Sequence, residues 1–376
     1  MPRKRHGEFD AARFMRRYWQ REPLLVRGAF PGLRDPLSPR ELLALAGSPD
    51  ASARLVRRVR GRWSVKHGPF PPSLLARLPR RDWTLLVQDT NHFSRQADAL
   101  LARFGFIPHA RIDDVMASYA VPGGGVGPHV DSYDVFLVQG RGRRRWRISR
   151  QRDLALVPGI DLRILERFEP EREWVLEAGD VLYLPPGVAH EGVALDECMT
   201  WSVGFRAPSD HELVAAFLDY LHEKLEPAGR YADPGTRAVR HPGEVPEALE
   251  DHVGQVLSGI RWTRRDVRSF AGRHLSEPKA QVVFTVPRRP LSRARFEREA
   301  ARDGVALDPR ARLLFSGTMF FLNGEELAVQ PGLRASLRRL ADRRRLAGPI
   351  DEPAPFWDLL HAWYLDGAVS PGGNRA

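Results

Sequence analysis

The spacing of apolar residues changes character several times along the chain, and each change predicts a different kind of element. From Phe9 to Ala46, FDAARFMRRYWQ carries apolar residues at helical spacing, and REPLLVRGAF then reads as a short strand. A mixed stretch runs to about Pro108, within which WTLLVQD (Trp83 to Asp89) predicts a strand and SRQADALLARFG a helix with Ser94 as its N-cap. From about Arg111 to Phe205 the pattern is one of short strands broken by glycine, proline and aspartate turns: DDVMASYAV, SYDVFLVQG, RRRWRIS, EREWVLEAGDVLYLP, HEGVALDE and CMTWSVGFR. Regularly spaced short strands predict a mainly β core, a sandwich or jelly roll.

After Pro208 the helical period returns. SDHELVAAFLDYLHEKL is apolar along one face, with Ser209 in a capping position, and PEALEDHVGQVLSGI is a second amphipathic helix beyond a Pro/Gly-rich connector. Further on, RARFEREAARDG, GLRASLRRLADRRRL and PAPFWDLLHAWYLDG are helical, and RLLFSGTMFFLNGEEL predicts a hairpin turning at Asn323-Gly324. Helices around one small hairpin resemble a winged helix. These changes place a first domain at 1–206 with its barrel core at about 111–206, a helical region at 207–270, and a winged-helix-like domain at 271–376.

Composition narrows the setting. At 376 residues and 43% hydrophobic, the chain can bury a large core, and no apolar run is long enough to cross a bilayer. The amino-terminal MPRKRHGEFD does not resemble a signal peptide, and the one cysteine, Cys198, excludes an intramolecular disulfide framework. A soluble, cytoplasmic protein is expected. The net charge of +11 comes almost wholly from arginine, which suits a nucleic-acid or ribonucleoprotein neighbour, although an arginine-rich proteome gives the same excess.

The candidate chemistry sits in the β region. Residues i and i+2 of a strand face one side, so His129 and Asp131 in GGGVGPHVDSYDV reach one point while Val130 faces away. A third ligand is offered by His190 in GDVLYLPPGVAHEGVA, 59 residues after Asp131, a separation that lets a barrel bring the second histidine back to the first pair. Two histidines and one carboxylate on one face of a metal leave positions open, as in non-haem Fe(II) oxygenases, whereas structural zinc sites close their tetrahedra. Taken singly, His129 could be a turn histidine, Asp131 a hairpin cap and His190 a residue satisfied by backbone in a rim loop. The other histidines, such as His92, His109, His211 and His274, lack paired carboxylates at suitable positions.

An Fe(II) oxygenase needs an electron donor, and 2-oxoglutarate is one whose far carboxylate requires a cation deep in the barrel. Alternation puts Arg144 with Trp146 and Ile148 on one strand face, and Arg143, Arg145 and Arg147 on the other. The first face is the inner one, so the Arg144 guanidinium needs an anionic partner. On the preceding strand Asp114, Met116 and Ser118 share a face. Ser118 can support a carboxylate, whereas Asp114 is better placed to receive a cationic substrate side chain, unless it merely starts the strand and Met116 is core filling.

GGGVGPHVDSYDVFLVQGRGRRRW, together with GDVLYLPPGVAHEGVA, resembles the JmjC-type cupin oxygenases. Within them it is similar to the bacterial ribosomal oxygenases that hydroxylate an arginine of large-subunit ribosomal protein L sixteen. FMRRYWQREPLLVRGAF and FGFIPHARIDDVMASYAVPGG resemble the same group. The resemblance implies a double-stranded β-helix with His129, Asp131 and His190 as Fe(II) ligands, Ser118 and Arg144 holding 2-oxoglutarate, and O2 as second co-substrate. It also implies an arginine pocket in which Asp114 meets the guanidinium, Met116 and Tyr133 flank the stem, and Ser202 adds a polar contact. Hydroxylation at the arginine β-carbon, a homodimer through about Pro208 to Ser269, and at most a weak contact with ribosomal RNA follow from it. Two rival readings are the same chemistry on a histidine or methyl-lysine target, and a nucleic-acid-binding module with a cupin sensor domain; the acid at Asp114 favours a cationic target, and the lack of an aromatic cage disfavours methyl-lysine.

Overall fold

The computed structural model describes residues 9–372, and the chain divides between Ala207 and Pro208 into two compact units. Among the described residues the first contains twelve strands: β1 (Leu24–Val26), β2 (Ala53–Val59), β3 (Arg62–His67), β4 (Trp83–Val87), β5 (Ile112–Ala120), β6 (His129–Val130), β7 (Asp134–Gln139), β8 (Arg144–Ser149), β9 (Arg172–Leu176), β10 (Val181–Leu184), β11 (Ala189–Ala194) and β12 (Cys198–Phe205). They form an eight-stranded sheet in the order β1-β10-β7-β12-β5-β4-β2-β3 and a four-stranded sheet in the order β6-β11-β8-β9. Every pairing in them is antiparallel, the strand arrangement of a jelly roll.

The two faces of the large sheet are buried in different ways. On the outer face Phe136 and Tyr183 meet Phe14, whose ring packs edge-on to Tyr183 at 4.8 Å and joins the short helix α1 (Ala11–Arg17) to the sheet. On the inner face Val135 and Leu137 pack with Trp146 and Ile148 of the small sheet. With cover on both sides, β7 is buried along its whole length, which is why DVFLVQ shows no polar alternation. Three more helices complete this unit: α2 (Pro39–Leu45), entered through a Ser38–Glu41 capping box, α3 (Pro72–Leu75) and α4 (Arg95–Ala102), capped by Ser94.

Asp134 anchors the outer face. Fully buried, it accepts hydrogen bonds from the Tyr183 hydroxyl (2.6 Å), Gln20 Nε2 (3.0 Å) and Arg111 Nη2 (3.0 Å). Asp134→Ala leaves these donors without an acceptor and is expected to cost about 3 kcal/mol, to be read as a lowered urea midpoint.

The sequence pattern marks Trp83 to Asp89 as one strand, but β4 ends at Val87 and Asp89 adopts a left-handed conformation at φ 53°. The strands β2 and β3 emerge from the stretch read as mixed, turning through Arg60 and Gly61 at φ 50° and 79°.

The second unit holds helices α5 (Asp210–Lys224), α6 (Glu247–Ser258), α7 (Arg264–Ser276), α8 (Arg293–Asp303), α9 (Arg334–Arg343) and α10 (Ala354–Leu365). A small sheet joins β13 (Val305–Leu307), β17 (Arg345–Leu346) and β18 (Val369–Pro371). The expected single hairpin is instead a three-stranded meander of β14 (Leu313–Ser316), β15 (Met319–Leu322) and β16 (Glu325–Leu327). Asn323-Gly324 turns its second corner, while its first turns at Gly317, where φ is 62°. Phe296, Phe320, Leu337, Phe356 and Leu360 centre its core.

Candidate metal centre and its cavity

The glycine-rich turn before His129 is built for close approach. A Cβ on Gly124 would collide with the Trp83 carbonyl, and one on Gly125 with the Gly192 carbonyl, so bare backbone is needed where the turn crosses both strands. The chain then enters β6, which pairs with β11 so that His129 lies directly opposite His190. The Gly187 N–H donates to the Asp131 carbonyl at 2.9 Å and holds the far end of the turn against the strand bearing the second histidine.

This register draws three donors together. Asp131 Oδ1 is 4.0 Å from His129 Nε2, Oδ2 is 3.5 Å from His190 Nε2, and the two rings are 4.2 Å apart. Each imidazole has its Nδ1 2.9 Å from the carbonyl two residues earlier, Gly127 for His129 and Val188 for His190. That contact places the ring proton on Nδ1 and leaves the Nε2 lone pair facing the carboxylate. Burial, and next the neighbouring His129, push the His190 imidazole down to about 4 against the pull of Asp131, so it is neutral near pH 7. Among the described residues this is the one group of three side chains with ligand atoms close enough to share a metal, all within 4.8 Å. Two imidazoles and a carboxylate with one open side suit a divalent iron-type ion better than a closed zinc site, and the one cysteine is packed elsewhere, among Ala120 and Ala194.

All nine residues expected at the site, His129, Asp131, His190, Ser118, Arg144, Asp114, Met116, Tyr133 and Ser202, line one cavity of about 440 Å³ between the two sheets. Arg144 follows the expected parity, 5% exposed and on the buried face of β8 with Trp146 and Ile148. Its Nε and Nη2 are buried with no hydrogen-bond partner among the described residues, so the cavity presents an uncompensated cation. An anion of the right length is what such a cation fits. Across from it, Ser118 is buried with its hydroxyl 3.4 Å from Thr84 Oγ1.

At the other end of β5, the Asp114 carboxylate accepts the Asp89 N–H at 3.1 Å. Met116 stands directly opposite Ser202 across the β5–β12 pair. Burial, followed by the charges of Asp131, Asp114 and Asp113, pushes the Tyr133 phenol well above its ordinary range, so it stays protonated. The cavity also takes in Arg54, Gln88, Asp161 and Arg163, which sequence pattern did not single out. Arg54 lies on β2, whose arginines obscure its alternation, and Gln88 just beyond β4, which is buried along its whole length and shows no alternation. Asp161 and Arg163 lie in the loop between β8 and β9, where no periodicity exists to read.

Comparison with known proteins agrees with this geometry. Residues 99–213 match the JmjC domain family and residues 259–370 the ROXA-like winged helix. The chain is 35% identical, over 94% of its length and 97% of the relative's, to the ribosomal protein uL16 3-hydroxylase of Escherichia coli K12. It is 40% identical over 205 residues, 54% of its length and 50% of the relative's, to a probable ribosomal oxygenase of Haemophilus influenzae. Among solved structures, Escherichia coli YcfD superposes with a TM-score of 0.84 at 34% identity, covering 96% of this chain and 98% of that one. The same protein in complex with cobalt and 2-oxoglutarate gives a TM-score of 0.81 at 34% identity, over 97% and 99% of the two chains. With a relative this similar over nearly the whole of both chains, and with the fold and the His–Asp–His cavity in agreement, the chain belongs to the JmjC-domain ribosomal oxygenases.

Proposed function

We propose that this protein is an Fe(II)- and 2-oxoglutarate-dependent oxygenase that hydroxylates the β-carbon of an arginine side chain in large-subunit ribosomal protein uL16. One observation carries the reading: a His–Asp–His set with an open side shares its cavity with a buried guanidinium, two of whose nitrogens have no hydrogen-bond partner among the described residues. In a relative the same family fold binds cobalt, a stand-in for a divalent iron, together with 2-oxoglutarate.

In this reading His129, Asp131 and His190 hold the metal through Nε2, a carboxylate oxygen and Nε2. When bound, Fe(II) and 2-oxoglutarate supply the oxidising chemistry, in which decarboxylation of the keto acid to succinate is coupled to insertion of one atom of O2 into a C–H bond. The protein's own part is placement. Arg144 pairs with the far carboxylate of 2-oxoglutarate by charge-assisted hydrogen bonds, and the Ser118 hydroxyl donates to the same group. Asp114, steadied by the Asp89 N–H, accepts from the substrate guanidinium. Met116 and Tyr133 flank the aliphatic stem, and Ser202 offers a further polar contact. Val135, Leu137 and Trp146 line the same space and exclude water from it. A misplacement of the reacting carbon by about an ångström costs on the order of a hundredfold in rate, which gives these packing contacts their value. The Asp114 carboxylate favours a cationic target over a neutral histidine.

The assembly and setting belong to the same reading. Helix α6 has no buried residue and exposes Val253, Val256 and Leu257 along one side, while α5 exposes Val214 and Leu218. An amphipathic face of this kind suits a second copy of the chain, as a homodimer. Val253→Asp combined with Leu257→Asp is expected to halve the molar mass measured by light scattering; an unchanged mass would place the dimer contact elsewhere. The arginine excess supports a weak, salt-dependent contact with ribosomal RNA. Among the described residues no helix is long and apolar enough to cross a membrane, and a ribosomal substrate supports a cytoplasmic site of action.

The test is intact-mass spectrometry of cognate uL16, or a fragment of it, incubated with the protein, Fe(II), 2-oxoglutarate and O2. A gain of one oxygen atom on an arginine, absent without 2-oxoglutarate, is expected. Succinate formed only with another ribosomal peptide would replace the substrate, and no turnover with any peptide would refute the assignment.

A further inference from the structure

The wall of the cavity continues beyond the jelly-roll strands onto β4 and β2. Ser118 on β5 pairs with Leu86 on β4, and Leu86 pairs with Arg54 on β2, so the three side chains share a face, and all three line the cavity. Gln88, two residues beyond Leu86, lines it too. The Gln88 N–H donates to the Ser52 carbonyl at 2.9 Å, and the Ser52 hydroxyl donates to Gln88 Oε1 at 3.1 Å. The amide oxygen is thereby engaged, and Nε2 is left as a donor with no acceptor among the described residues. Arg54 is in the same condition, since its Nε is buried and has no partner among the described residues.

These are two oriented donors without acceptors on one wall. Arg54 faces Leu86 directly, so Gln88 is its diagonal neighbour, and such pairs stand roughly 7–8 Å apart at Cα. A single carboxylate or phosphate would require the two long side chains to converge on one point. An extended peptide, by contrast, presents the carbonyls of alternate residues on one side roughly 6.6–6.8 Å apart. We propose that Arg54 and Gln88 are positioning residues that grip an extended segment of the substrate protein by two main-chain carbonyls, next to the pocket that receives its target side chain. The clamp rests on the reading above that the substrate is a protein side chain. It reads backbone, so it selects for an unfolded or extended segment rather than for a particular flanking sequence.

The test compares two probes on full-length protein loaded with Mn(II) and 2-oxoglutarate under anaerobic conditions: a uL16 peptide spanning the target arginine, and N-acetyl-arginine N-methylamide, which has the side chain but almost no chain on either side. Calorimetric titration is expected to give peptide binding roughly tenfold or more weaker in Arg54→Met and severalfold weaker in Gln88→Met, because the first loses a charged donor and the second a neutral one. Affinity for the amide and for 2-oxoglutarate is expected to stay within about twofold of wild type, which also reports an intact fold. Equal loss of amide and peptide binding would overturn the clamp, since Arg54 would then serve the side-chain pocket. Undiminished peptide binding in both variants would overturn the clamp alone. Wild-type protein that binds no uL16 peptide would overturn the substrate reading together with the clamp built upon it.

Discussion

Arg144→Met is expected to yield a protein that folds at least as firmly as wild type and no longer retains 2-oxoglutarate. Arg144 is 5% exposed, and two of its nitrogens are buried without hydrogen-bond partners among the described residues. In the absence of co-substrate its contribution to stability is therefore mostly a desolvation penalty, eased only by the Trp146 ring 5.9 Å from its Cζ. An apolar side chain of similar length relieves that penalty, and replacing buried charge by hydrophobic residues of similar volume is neutral or stabilising by about 1–4 kcal/mol. In the proposed function the same change also removes the paired hydrogen bonds by which Arg144 would hold the far carboxylate of 2-oxoglutarate. Breaking one side of a buried charge pair costs about 3–5 kcal/mol, or roughly two to nearly four orders of magnitude in affinity. Denaturant unfolding without co-substrate, set beside 2-oxoglutarate titration, separates the two effects. A variant that is destabilised yet binds 2-oxoglutarate normally would mean that Arg144 is a structural residue.

The second large effect is expected from Asp131→Ala. The Asp131 carboxylate is the group common to both histidine contacts, and its side chain is 20% exposed, so its removal takes away a candidate metal ligand without opening the core. His190 is a poorer choice for this purpose, being 2% exposed, so its truncation leaves a hole beside Trp146. Turnover in Asp131→Ala should fall by about a thousandfold or more, in line with removal of a group acting directly at the reaction centre. The denaturation midpoint should shift by no more than about 1 kcal/mol equivalent. Peptide mass spectrometry and urea unfolding on the same preparation check both. Retained hydroxylation with two histidines alone would show that the carboxylate is not a required ligand.

How much of this could be read in advance depended on whether the local period was clean. His129 and Asp131 are two apart on a strand, and Arg144 alternates with Arg143 and Arg145, so parity alone assigned their faces, and the buried pattern of β8 agrees. The partnership with His190 needed only a strand returning at barrel distance. Gln88 falls just past the wholly buried β4, whose WTLLV shows no alternation to mark a cavity face, and Arg54 was illegible for a different reason. ARLVRRVRGRWSVKHG carries so many arginines on its solvent side that its alternation does not stand out, although Arg60-Gly61 turns it as a hairpin. The first corner of the meander, at Gly317, carries its own turn signal in Ser316-Gly317-Thr318, but the stronger Asn323-Gly324 drew the reading to a single hairpin. Periodicity identifies a strand only when one face differs from the other, and a neighbouring strand joined from far along the chain leaves no local trace.

Helix α6 has a further consequence, which concerns order rather than affinity. It is 12 residues long and has no buried side chain, close to the length below which an isolated helix does not persist in water. In the homodimer proposed above, its hydrogen-bonded state would depend on the partner copy that covers Val253 and Leu257, and formation of the contact and winding of the helix would be a single cooperative event. Diluting the protein should unwind this one segment while the sheets stay protected, so the far-ultraviolet helical signal would vary with protein concentration in a chain whose catalytic cavity does not change.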